Sequence, residues 1–142
     1  MITNSAGTLA ARGITAFNAA DWEALRELCA ADVVYTETGT GLRLEGIDAC
    51  DAAWHAWRTA MPDLTGTVLR TLEDGDTAAI EIRWVGTQTG PLATPDGEIP
   101  ATGRRMEVAS TQWVTARDGH TAVIDHHLDV MGILGQLGVL PG

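Results

Sequence analysis

The stretch IDHHLD, residues 124–129, gathers the side chains best suited to moving protons or holding a metal. Two imidazoles and two carboxylates in six positions offer three readings: a metal site, a general acid/base, or the polar edge of a strand meeting solvent. Side chains alternate along an extended chain, so Val123, Asp125, His127 and Asp129 share one face while Ile124, His126 and Leu128 share the other. One histidine with two carboxylates is a workable ligand inventory. Residues two apart on a strand, however, lie about 7 Å apart at Cα and rarely converge on one ion. The acid/base reading gains from the residues next in the chain: Val130, Met131, Ile133, Leu134, Leu137, Val139 and Leu140 place Asp129 at the border of an apolar wall. Desolvation at such a border tunes a carboxylate for proton transfer. The expected machinery is Asp129 with His127 beside it, and no metal.

Other positions could complete a pocket. Ser110 and Gln112 alternate with Val108 and Val114, so they share a face with one set of the last strand, and Gln112 could hydrogen-bond a carbonyl or enolate oxygen. Trp54, Trp57 and Trp84, with Tyr35, supply flat walls that serve a core or a polycyclic ligand equally. His55 beside Trp54 is either an exposed helix histidine or a site residue. Glu37 is either a strand-end carboxylate or a second acid facing the cavity, and Asp125 shares the face of Asp129.

Composition removes several classes. The formal charge is −10, from 19 acidic and 9 basic residues, which disfavours nucleic acid and anionic membrane as partners. There is no run of eighteen apolar residues, and the opening MITNSAGTLAARG has no basic segment leading into an apolar one, so a cytoplasmic protein is expected. All nine basic residues are arginine. Schiff-base aldol chemistry, pyridoxal phosphate catalysis and the nucleotide phosphate loop each need a lysine amine. Ser5 and Ser110 lie in no G-x-S-x-G elbow, which argues against a serine hydrolase. Cys29 and Cys50 have no disulfide or zinc-ligand pattern and read as core residues.

The elements that must position these residues emerge from periodicity. Residues 5–19 have helical spacing at Leu9, Ile14 and Phe17. Asp21 caps a second helix through Trp22, Leu25 and Leu28 that should end near Ala31, and Asp48 caps a third running to about Ala60, ahead of Pro62. An extended segment from Val33 to Thr38 returns through Leu42 to Leu44. After MPDL the period becomes two: strands at 65–73, 77–87, 104–116 and 120–129, then a short apolar helix or coil. The stretch GTQTGPLATPDGEIPATG is long for a connection and reads as a lid or binding element. Helices followed by a largely antiparallel sheet make an α+β fold, and residues 1–142 fit a single domain.

Four stretches carry a family resemblance: ADWEALRELCAADVVY, EGIDACDAAWHAWRTAMPDL, WVGTQTGPL…PATGRRMEV and DGHTAVIDHHLDVMGILGQLGVLP. Together they resemble the SnoaL-like polyketide cyclases, with the TGPL…TGR pair followed by D-x-x-G-x-L-x-Q-L-G the more specific part. The resemblance implies the cone-shaped nuclear transport factor 2-like fold, with N-terminal helices packed on a curved, mostly antiparallel sheet that encloses an apolar pocket. It also implies a cofactor-independent, acid/base ring closure of the aldol type on a polyketide or related secondary metabolite. Asp129 matches the family's acid/base position, and Asp125 stands where many relatives carry an aromatic residue. Homo-oligomers, dimers or tetramers, are usual in the family, and the apolar tail could pack on a neighbour. Epoxide hydrolase, isomerase, hydroxylase-accessory and non-catalytic binding roles occur on the same fold or suit the same walls.

Overall fold

The structure, a computed structural model, describes residues 4–140. Helix α1 (Ala6–Asn18) starts where the Ser5 hydroxyl accepts the Thr8 amide, and it buries Leu9, Ile14 and Phe17 along one stripe. Helix α2 (Trp22–Leu28) is capped by Asp21. It ends at Leu28 rather than near Ala31, because strand β1 (Cys29–Thr38) already pairs from Cys29 with Thr121. Strand β2 (Leu42–Glu45) returns antiparallel to β1.

Helix α3 (Ile47–Ala60) corrects a second expectation. Its N-cap is Gly46 at φ 91°, a backbone that favours glycine, and no side chain caps it. Asp48 instead sits in the first turn, where its carboxylate suits the helix dipole and accepts from Arg26 at 2.6 Å.

The period-two segments become β3 (Thr65–Asp74) and β4 (Thr77–Thr87), then a small hairpin, β5 (Leu92–Thr94) and β6 (Gly97–Ile99). The long strands β7 (Arg105–Arg117) and β8 (His120–Leu128) come next, and α4 (Val130–Leu137) ends the described elements. The main sheet runs β2-β1-β8-β7-β4-β3, open at both edges, and only the β1–β8 pair is parallel. Register shifts in β1, β3 and at the β7–β8 end mark irregularities of the kind that increase twist and curl a sheet.

Ile80, Ile82, Trp84, Val108 and Val114 point inward and are buried with Phe17, Leu25 and Ile133. Glu81, Arg83, Glu107 and Trp113 alternate outward. Two side-chain amides dock helices by imitating a strand. Asn18 at the end of α1 accepts from the Gly66 N–H and donates to its carbonyl, and Gln136 of α4 does the same for Glu107, both pairs at 2.7–2.9 Å. Gly66 itself must be glycine, since a Cβ there would sit 2.7 Å from the Trp84 ring.

The long connection after β4 is clamped. Gln88, fully buried, donates to the carbonyls of Gly90, Ile99 and Pro100 and accepts from the Thr102 amide and hydroxyl. A Cβ at Gly90 would run into the Thr59 carbonyl, and Leu92 enters the core. The TQTGPL stretch is therefore a structural clasp between the hairpin and the end of α3. Among the described residues, no helix is long and apolar enough to cross a membrane.

Candidate active site

The inward face of the sheet and the helices above it line a cavity of about 90 Å3. Phe17, Trp54, Trp57 and Trp84 form its aromatic walls, with Leu64, Met106 and Ile133 filling between them. Onto this apolar surface Tyr35, Gln112 and His126 bring polar groups. They arrive from three neighbouring strands: Gln112 of β7 is the register partner of His126 on β8, and His126 is the partner of Glu37 on β1.

A chain of hydrogen bonds runs behind the wall. Trp84 Nε1–H donates to Ser110 Oγ at 2.9 Å, and Ser110 Oγ lies 2.8 Å from His126 Nε2. His126 Nδ1 lies 2.8 Å from the Tyr35 hydroxyl, which donates to Glu37 Oε2 at 2.7 Å. Thr40 donates to the other Glu37 oxygen at 2.8 Å. The roles at the imidazole are fixed by counting protons. The single Tyr35 proton goes to Glu37, so Nδ1–H must donate to the Tyr35 oxygen. With the ring proton on Nδ1, Nε2 is an acceptor, so Ser110, whose oxygen takes the indole N–H, turns its own proton toward Nε2. Every member is satisfied, as a buried polar network must be.

Burial sets the electrostatics. His126 is 7% exposed, and desolvation, then the neighbouring His127, pushes its pKa down to about 4. The ring is neutral at pH 7. Burial, then Glu37, holds the Tyr35 phenol well above its ordinary value. Burial likewise lifts Cys29 to about 12 and Cys50 to about 11, so both thiols stay protonated core groups. Among the described residues, the Gln112 side-chain amide carries none of the bonds that tie its neighbours, and it stays available to a ligand oxygen.

The expected residues are distributed unevenly around this cavity. Tyr35, Trp54, Trp57, Trp84 and Gln112 lie on its wall, and Glu37 and Ser110 are buried within the network behind it. His55 points out of α3, its ring 4.4 Å from that of Trp22 and its Nε2 3.5 Å from Asp51.

The alternation expected for 124–129 holds, and it turns His126, not Asp129, toward the cavity. Asp125, His127 and Asp129 fall on the outward face: Asp125 accepts from Thr36 at 2.6 Å, and the exposed His127 lies 3.1 Å from the Thr38 hydroxyl. Asp129 is exposed, and its carboxylate caps α4 by accepting the Gly132 amide at 2.8 Å. The apolar residues after Asp129 turn into α4 and bury Ile133 and Leu137, so they build no wall around the carboxylate. The D-x-x-G-x-L-x-Q-L-G run is thereby a docking device: Asp129 caps, Gln136 clips onto β7, and Gly138 closes the helix in the left-handed conformation at φ 75°.

The residue that sequence reasoning set aside is His126. Its signal was present, because it stands between Ile124 and Leu128, and apolar neighbours at i±2 mark the inward face of a strand. Among the described residues, no group of three or more His, Cys, Asp or Glu is placed to share a metal ion.

The fold has relatives. TsrD from Streptomyces laurentii superposes with a TM-score of 0.80 at 27% identity, over 93% of both chains. IdmH from Streptomyces antibioticus, described as a candidate polyketide cyclase, gives 0.76 at 29% identity, over 92% of this chain and 96% of that one. AclR from Streptomyces galilaeus, described as a candidate hydroxylase, gives 0.78 at 19% identity over 94% and 85%, a likeness of fold alone. No curated protein matches the chain by sequence. The model of the SnoaL-like domain matches residues 10–124, from within α1 into β8, and the chain belongs to that family.

Proposed function

We propose that this protein is a cofactor-independent cyclase for a polyketide or related secondary-metabolite intermediate, working by acid/base catalysis at His126. The observation that carries the reading is a neutral, buried imidazole on an apolar cavity wall, directly across the strand pair from the free Gln112 amide. The likeness to IdmH supports the substrate class.

A methylene between two carbonyls is already acidic, so orientation and one positioned base suffice to make it a nucleophile. When the Ser110 hydroxyl turns aside, His126 Nε2 takes the methylene proton, and the electron pair moves onto the carbonyl oxygen. Gln112 Nε2–H donates to that enolate oxygen. The enolate carbon then attacks a second carbonyl of the same molecule. The alkoxide formed takes the proton back from the imidazolium, so the product is an isomer of the substrate and the site is restored. Aromatic walls hold the chain folded, and no lysine or external electron acceptor takes part. Asp129 has no place in this scheme, since its carboxylate is engaged in the α4 cap on the other face.

The test is incubation with a tricyclic aromatic diketone bearing an activated methylene, followed by chromatography and NMR of the product. Enzyme-dependent formation of a ring-closed isomer, persisting after chelation and lost in His126→Asn, is the expected result. Tight binding without any new product would instead favour a binding protein. An expected homo-oligomer is checked by light scattering on the same sample.

A further inference from the structure

Among the described residues, Glu37 is a buried acid without a counter-ion. It is 5% exposed, yet the partners of its carboxylate are two hydroxyls, Tyr35 and Thr40, rather than a cation. Burying an ionisable group without a counter-charge is costly, and a fold that needed only packing here would use an apolar side chain. Glu37 is also absent from the cavity wall, and the group between its carboxylate and His126 is the Tyr35 phenol. Its effect must pass through Tyr35.

We propose that Glu37 is the positioning residue of this site: through the Tyr35 phenol it selects the Nδ1–H form of His126 and leaves Nε2 as the ring's basic atom. This rests on the reading of His126 as the base. Tyr35 has one proton and lies between two acceptors, 2.7 Å from Glu37 Oε2 and 2.8 Å from His126 Nδ1. An acceptor-only carboxylate claims that proton, and Nδ1 then has to carry its own.

On the far side, Ser110 fits either form: its oxygen accepts the Trp84 indole proton and can either donate its own proton to Nε2 or accept a second one from Nε2–H. The choice of tautomer is therefore made at the Glu37 end, and an amide in place of the carboxylate reverses it. In Glu37→Gln the new amide can donate to the Tyr35 oxygen, turning the phenol proton onto Nδ1 and moving the ring proton to Nε2. The native carboxylate, one phenol away, also favours the imidazolium that forms during turnover, as an acid behind a catalytic histidine does.

The test is 15N NMR of histidine-labelled full-length protein. The native chain should show His126 as Nδ1–H, and Glu37→Gln should convert it wholly or largely to Nε2–H with an unchanged circular dichroism spectrum. In a Tyr35→Phe background, Glu37→Gln should no longer move the His126 signals. With the diketone substrate, Glu37→Gln should lower kcat by about 10²–10⁴-fold with KM within about 3-fold. A native Nε2–H ring, or a tautomer indifferent to Glu37→Gln, overturns the proposal. Should Glu37→Gln fail to fold, Tyr35→Phe alone tests the link, because without the phenol the native preference for Nδ1–H should be lost. A native protein inactive on every substrate would sink the cyclase reading while leaving the tautomer result standing, so the two failures are distinguishable.

Discussion

Gln112 and His126 are cross-strand partners, one on β7 and one on β8, and both line the cavity. Directly opposed side chains on one face of an antiparallel pair have Cβ atoms about 4.5–5.5 Å apart. That spacing lets an amide hold a carbonyl oxygen while an imidazole reaches the carbon beside it. In the proposed reaction this pair would supply the base and the oxyanion donor from strands rather than loops.

His126→Asn should separate chemistry from folding through pH. A histidine whose folded pKa lies below its unfolded value near 6.5 takes up protons on unfolding. Its stabilising contribution is therefore complete above about pH 6.5 and is lost as pH falls toward about 4. Across that window the stability of the native chain should fall relative to the variant by roughly 1.4 kcal/mol per pH unit. Urea titrations at pH 7.5, 6 and 5 measure it, and parallel curves for both proteins would contradict a buried neutral ring.

Gln112→Leu should leave the fold intact and cut kcat by about 10²–10³-fold, the usual worth of one oxyanion donor. Steady-state kinetics on the diketone decide it. An effect confined to KM would make Gln112 a binding group only.

Asp129→Ala should cost about 1 kcal/mol through loss of the α4 cap, with kcat within about 3-fold of the native value. Asp129→Asn, which can still cap, should be near native in both respects. A hundredfold loss of activity in the Asn variant would place the chemistry on the outward face.

Gly66→Ala should destabilise the protein by about 1–3 kcal/mol, because the new methyl meets the Trp84 ring at 2.7 Å. Displacing Trp84 also removes its bond to Ser110, so activity should fall with stability. Thermal melts and assays read both effects, and an unaltered melting curve would contradict the close approach.

Substrate binding should move the tryptophans. The cavity, about 90 Å3, is well below the ~300–1,000 Å3 of sites that take drug-sized ligands. Trp54 and Trp57, half-buried on α3, are the side chains placed to yield. A polycyclic ligand should quench and shift the intrinsic fluorescence, and Trp57→Phe should reduce that change. No spectral response at saturating ligand would argue for a smaller substrate.

Local pattern carried much of this structure. Helical stripes at Leu9, Ile14 and Phe17, the Asp21 cap, the alternation through Ile80, Ile82 and Trp84, and the α+β order can all be read from residues within one or two turns of each other. The absence of lysine likewise constrains the chemistry before any fold is known. Boundaries were less legible where distant pairing intervened: α2 stops early because Cys29 joins Thr121, far along the chain but adjacent in the sheet.

The site depended on tertiary structure for a related reason. Alternation divides 124–129 into two faces, but it cannot say which face the helices cover, and the structure puts His126 on the covered side and Asp129 on the other. Only the parallel β1–β8 pairing brings Tyr35 and Glu37 against His126, and only the curl of the sheet turns that side into a cavity. Side-chain periodicity is a property of neighbouring residues, whereas burial and proton sharing are properties of strands that meet after the chain has folded.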